Sequence, residues 1–109
     1  MKIIKSLSII LLLSSFMISS QEFELDVQKS NLKWSGKKIT NSSHNGSIKF
    51  KSGMVVFAND LIKSGKFIVD MTSMNVEDLK GSSKERLEGH LRSDDFFSVE
   101  SFNESTLKI

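Results

Sequence analysis

The feature that most constrains this chain is a run of short segments in which apolar and polar residues alternate. Phe23-Glu24-Leu25-Asp26-Val27 alternates with a period of two, and Leu32-Lys33-Trp34-Ser35-Gly36 places Leu32 and Trp34 on one face. From His44 to Phe50, Ile48 and Phe50 share a face opposite lysines. Met54-Val55-Val56-Phe57-Ala58 is a denser apolar run, and Gly65 to Met71 puts Phe67, Val69 and Met71 on one face. Successive strand side chains point to opposite faces, so this pattern predicts strands that each bury one side. Lys51-Ser52-Gly53 reads as a hairpin connection, and Asn59-Asp60 opens a turn that ends near Lys63-Ser64-Gly65. Ser105 to Ile109 reads as a further strand.

The period changes after Met71. Val76 to Leu91 is charge-rich, with Leu79, Leu87 and Leu91 spaced for a helix. Asn75 is placed to cap it, with Asp78 three residues on in capping-box position. Gly81 and the serines after it predict a break, giving a turn at residues 77–80 and a second segment at 83–91. The expected class is therefore all-β: an antiparallel barrel or curved sheet with a short helical insertion.

Ahead of these segments lies a basic start (Lys2, Lys5), an apolar stretch from Leu7 to Ile18, and small residues at Ser19 and Ser20. That order predicts a secretory signal peptide over residues 1–20, cleaved after Ser20 or Gln21. The apolar stretch is shorter than the ~20 residues a bilayer-spanning helix needs, so no stable membrane anchor is expected after cleavage. The two lysines of this segment account for the whole +2 formal charge of the chain. The remaining domain, residues 22–109, is formally neutral and offers no general field for nucleic acid. With no cysteine, an exported domain of this size must be held by a core, a ligand or a partner chain rather than by disulfides.

A closed barrel that holds a ligand needs about eight strands, on the order of 150 residues with their connections. Residues 22–109 are expected to be an incomplete barrel, truncated at the C-terminal side or completed at its edge by another chain, a homodimer among the options.

The order Trp34-x-Gly36, His44-x-Gly46, Gly53, Phe67-x-Val69-Asp70-Met71 and Leu87-x-Gly89-His90-Leu91-Arg92-Ser93-x-Asp95-Phe96-Phe97 resembles the YceI family of bacterial exported proteins. The resemblance runs from about Phe23 to the last residue, strongest from Gly89 to Phe97. It implies a lipocalin-like antiparallel barrel that takes up a polyisoprenoid lipid along its axis, without catalytic residues, in the periplasm or secreted. The matched portion corresponds to the family's N-terminal strands.

A polyprenyl tail needs a long apolar cavity lined by alternate residues of several strands. Trp34, Phe50, Phe57, Phe67, Val69 and Met71 are the inward candidates, and Leu87, Leu91, Phe96 and Phe97 are placed to close one end. The same residues would equally fill an ordinary barrel core. Eight Phe with no Tyr favours an apolar ligand over a polar one. His44 and His90, each beside a glycine, read as ties between loops, and His90 or Arg92 is a candidate for meeting a head group such as a diphosphate. No metal or cofactor is expected, since a structural zinc site usually draws on cysteine.

Three functions follow. The first is an exported carrier that shields a polyisoprenoid, an isoprenoid quinone or prenyl diphosphate, from water. The second is a small hydrolase using His44, His90 and Asp95. The third is a stress-related, partner-binding domain whose open edge at residues 106–109 pairs with another chain.

Overall fold

The computed structural model describes residues 20–109. The expected signal peptide therefore lies, Ser20 apart, outside the described residues. Among the described residues there are five antiparallel strands and one helix: β1 (Gln21–Glu24), β2 (Leu32–Lys37), β3 (Ser43–Ala58), β4 (Leu61–Val76), α1 (Gly81–Arg92) and β5 (Glu104–Lys108). β1 and β2 pair with different stretches of β3, β1 with Met54–Phe57 and β2 with Ser43–Ile48. β4 pairs with β3 and then with β5, and the sheet does not close. The fold is thus all-β with one short helix, consistent with an incomplete lipocalin-like barrel.

β1 ends earlier than the alternation predicts. The Asp26 carboxylate accepts the backbone N–H groups of Gln28 and Lys29 at 3.1 and 3.3 Å, and the Asp26 carbonyl accepts Ser30 Oγ–H at 2.6 Å. This local turn competes with the ladder and takes Asp26 and Val27 out of the strand.

Lys51-Ser52-Gly53 is not a hairpin. β3 runs through it as one 16-residue strand. Phe50 pairs with Val69 and Ser52 with Ile68, so Lys51 is an extra residue in the ladder. Such a bulge shifts the alternation by one. Ile48 and Phe50 before it, and Gly53, Val55 and Phe57 after it, then face the same way. The sequence signal for a break was this change of phase.

The hairpin between β3 and β4 is also tighter than expected. Asn59 and Asp60 alone make it, both with left-handed φ (53° and 61°). Two-residue turns of this kind match the twist of the flanking strands. Lys63, Ser64 and Gly65 belong to β4. Gly65 serves close packing instead: a Cβ there would lie 3.0 Å from Ile109 Cγ1, and its N–H and C=O exchange hydrogen bonds with Ile109 at 2.9 Å.

The helical segment expected at 83–91 is α1, which begins two residues earlier at Gly81, while residues 77–80, expected as its first turn, are not helical. β4 continues to Val76 because Met74 and Val76 are buried. Asn75 is consequently a strand residue paired with Ser47 and does not cap the helix. The N-cap position is Lys80, without a side-chain cap. α1 is instead fastened to β4 by its own side chains. Glu88 Oε2 accepts the Val76 N–H at 3.1 Å, and the Arg92 guanidinium donates to the Met74 carbonyl at 2.6 Å. Val99, on the turn after α1, completes a small buried core with Ile48, Met74 and Val76. The chain then returns to the sheet, where the Asn103 carbonyl accepts the Met71 N–H at 3.0 Å.

Candidate functional site

Residues paired across an antiparallel ladder share a face of the sheet. On β3 and β4 the pairs are Phe50 with Val69, Gly53 with Phe67, and Gly46 with Val76. On the neighbours they are Trp34 with Gly46, Phe23 with Val55, and Phe67 with Leu107. One face is therefore apolar along its length. The other carries Lys33, Lys49, Lys51, Lys66 and Lys108 among its side chains. The phenylalanines meet in pairs on the apolar face: Phe50 and Phe67 with ring centroids 6.1 Å apart, and Phe23 and Phe57 edge to face at 5.6 Å.

Where α1 and its following turn fold over this face, they leave a cavity of about 240 Å³ with almost wholly apolar walls. Its lining includes Trp34, Ile48, Met71, Met74, Leu91 and the adjoining Phe96 and Phe97. Gly46 makes the Trp34 wall possible. A Cβ at this buried glycine would lie 2.6 Å from Trp34 Cζ2 and 1.9 Å from the Asn75 carbonyl oxygen. The indole lies against the bare backbone, and its Nε1–H is satisfied by the Ser47 carbonyl at 3.2 Å. At the rim, Phe96 packs edge to face on Phe97 at 4.6 Å and against the His90 ring at 5.8 Å. Phe96 and Phe97 remain 54% and 44% exposed, which leaves an open mouth.

Of the residues singled out from sequence, Trp34, Met71, Leu91, Phe96 and Phe97 come together around this cavity. Phe50, Phe57, Phe67 and Val69 lie on the same sheet face outside it, and Leu87 is half-buried on α1. His44 belongs elsewhere. Its Nδ1–H donates to Asp78 Oδ2 at 2.8 Å, and Asp78 Oδ1 accepts the Asn45 N–H at 3.1 Å. The Asn45 N–H and then the His44 ring hold the Asp78 carboxyl below its ordinary value. Asp78 is thus a tie between β3 and the segment leading into α1, where the capping-box reading had placed it on the helix. Beside it, Lys33 pairs with Glu77 at 2.7 Å, and that ammonium, followed by Ser47, lowers the Glu77 carboxyl.

His90 does not sit on a glycine turn, since Gly89 and His90 are both inside α1. Arg92 is committed to the backbone carbonyls of Met74 and Thr72, which directs its guanidinium at the sheet. Among the described residues, no group of three or more His, Asp or Glu side chains is arranged to hold a metal ion. His44, His90 and Asp95 form no such cluster. Four lining residues, Ser35, Gly36, Ile48 and Met74, were absent from the sequence-based set, and Ile48 and Met74 supply large apolar side chains. Ile48 was legible as the strand partner of Phe50. Met74 was hidden by a second change of phase, where the Asp70 carboxylate accepts the Thr72 N–H at 3.0 Å and Lys49 N–H donates to Ser73 Oγ at 2.8 Å.

Among the described residues, the fold is thus an unclosed antiparallel sheet with an apolar cavity under its helix. The family model of the YceI-like domain matches residues 23–109, and the chain belongs to that family. No curated protein and no solved structure matches the chain. Membership of this family accords with a binding protein.

Proposed function

We propose that the chain binds a long apolar lipid of the polyisoprenoid type, an isoprenoid quinone or a prenyl diphosphate, and keeps it from water after export to the periplasm or beyond. The observation that carries this reading is the continuity of the cavity with the apolar sheet face. At about 240 Å³ the cavity is smaller than the ~300–1,000 Å³ of pockets that enclose a drug-sized ligand. It suits one end of a chain molecule, whose remainder lies along Phe50 and Phe67. Burial stabilises such a ligand by ~25 cal/mol per Å² of apolar surface, with no bond made or broken.

His90, exposed at the rim beside Phe96, is the side chain placed to meet a head group. Arg92 is already satisfied by backbone carbonyls and is assigned to holding α1. Export rests on the signal-peptide reading of residues 1–20. The test is mass spectrometry of lipids extracted from the purified protein. A co-purifying prenyl lipid is expected. Finding none, with no uptake of added prenyl lipid, would refute the reading.

A further inference from the structure

From Val27 to Asn59 the chain carries six lysines and no acidic residue. Two of the six, Lys37 and Lys38, stand at the tip of the β2–β3 hairpin next to Ile39. Ile39 is 105% exposed, so its side chain is free of packing contacts among the described residues. The tip is nonetheless ordered by its backbone. Lys38 N–H donates to the Ser42 carbonyl at 2.8 Å, Asn41 N–H to the Lys38 carbonyl at 3.1 Å, and Asn41 holds a left-handed φ of 72°. Among the described residues, neither Lys37 nor Lys38 forms an ion pair, whereas Lys33 and Lys51 do. Nearby acids are spoken for, Glu77 by Lys33 and Asp78 by His44.

The place of this hairpin matters. Ser35 and Gly36 of β2 line the cavity, and β2 leads from them to the tip. β2 ends at Lys37 and the turn follows, so at a strand rise of ~3.3 Å Ile39 stands no more than about 10 Å beyond Gly36. A lone apolar side chain at full exposure, flanked by two unpaired ammonium groups, has the chemistry of a contact for an anionic lipid surface. The isoleucine enters the acyl boundary and the lysines remain among the head groups. The Phe96–Phe97 corner of the cavity has acidic neighbours, Asp94 and Asp95, and does not share this charge.

We infer that the β2–β3 hairpin is a docking point for an anionic membrane surface, seated beside the cavity so that an apolar ligand passes between bilayer and protein over a short path. The inference deepens the lipid-binding reading, but vesicle binding needs no ligand in the cavity, so the two can fail separately.

The absence of cysteine makes a local test clean. Ile39→Cys, labelled with the environment-sensitive dye NBD, is mixed with vesicles of phosphatidylglycerol and phosphatidylethanolamine. Leu61→Cys, labelled likewise at the β3–β4 hairpin of the far end, is the control. It reports contact made by other parts of the full chain, residues 1–20 included. The expected result is brighter, blue-shifted emission at position 39 and none at 61. The effect should be lost with phosphatidylcholine alone and weakened by salt. Lys37→Gln with Lys38→Gln should weaken partition roughly 25-fold, at about fivefold per lysine. An unchanged spectrum at position 39, equal changes at 39 and 61, or indifference to the lysine substitutions would overturn the inference.

Discussion

At the residue scale, Gly46 decides whether the cavity has a wall. The space a methyl group would need is taken by the Asn75 carbonyl and the Trp34 ring. Backbone cannot yield as the end of a flexible side chain can, so Gly46→Ala is expected to destabilise the domain by about 3 kcal/mol. Urea unfolding should show the loss, and Trp34 emission should shift to the red as the ring is displaced. Asp78 makes a different kind of prediction. Its carboxyl is lowered from an ordinary 3.8 in the folded chain. The unfolded chain therefore takes up the proton first as pH falls. The contribution of Asp78 is complete above 3.8 and is lost as pH drops through that value towards the folded one. Wild type should exceed Asp78→Asn in urea midpoint at pH 7, and the gap should narrow as pH falls below 3.8. A gap that stays constant with pH would refute the ionic role. These residues also mark what was legible beforehand. Trp34, Leu91, Phe96 and Phe97 were readable because apolar spacing states which face a side chain takes. The roles of Asp78 and Arg92 were not, because their partners, His44, Asn45 and the Met74 carbonyl, are distant in sequence, and spacing says nothing about such hydrogen bonds.

At the scale of elements, the strands were legible and their joints were not. Alternation located all five, but each change of phase read as a loop when two of them were irregularities inside long strands. Lys51 absorbs one such change. Deleting it would leave Gly53, Val55 and Phe57 in plain alternation with Ile48 and Phe50, on the same face. The deletion variant is expected to keep its cooperative thermal transition, seen by circular dichroism, and loss of that transition would contradict the bulge. The Asn59-Asp60 hairpin carries a prediction of its own. Both positions hold φ values that favour glycine, and Asn-Gly is the preferred pair for such a turn. Asp60→Gly should therefore stabilise by roughly 0.5 kcal/mol and raise Tm by roughly 2–4 °C, read by calorimetry. A fall in Tm would contradict the turn geometry. The absence of helix at residues 77–80 has a physical cause as well. Burial of Met74 and Val76 against the sheet outweighs the capping preference of Asn75, a local tendency worth about 1 kcal/mol.

At the scale of the molecule, the buried core is confined to the end covered by α1, while much of the apolar sheet face is left open. Phe23, Leu107 and Ile109 are more than half exposed on or beside it. That distribution supports the proposal that this member of the YceI-like family binds an apolar lipid. Trp34, the one tryptophan in the chain, lines the cavity and reports directly on its contents. Titration of the purified protein with geranylgeraniol, followed by Trp34 emission, is the most direct test. The account predicts a saturable blue shift that is weakened when Leu91→Asp places a charge in the wall. A spectrum that does not change with added prenol, in a protein that still unfolds cooperatively, would contradict it.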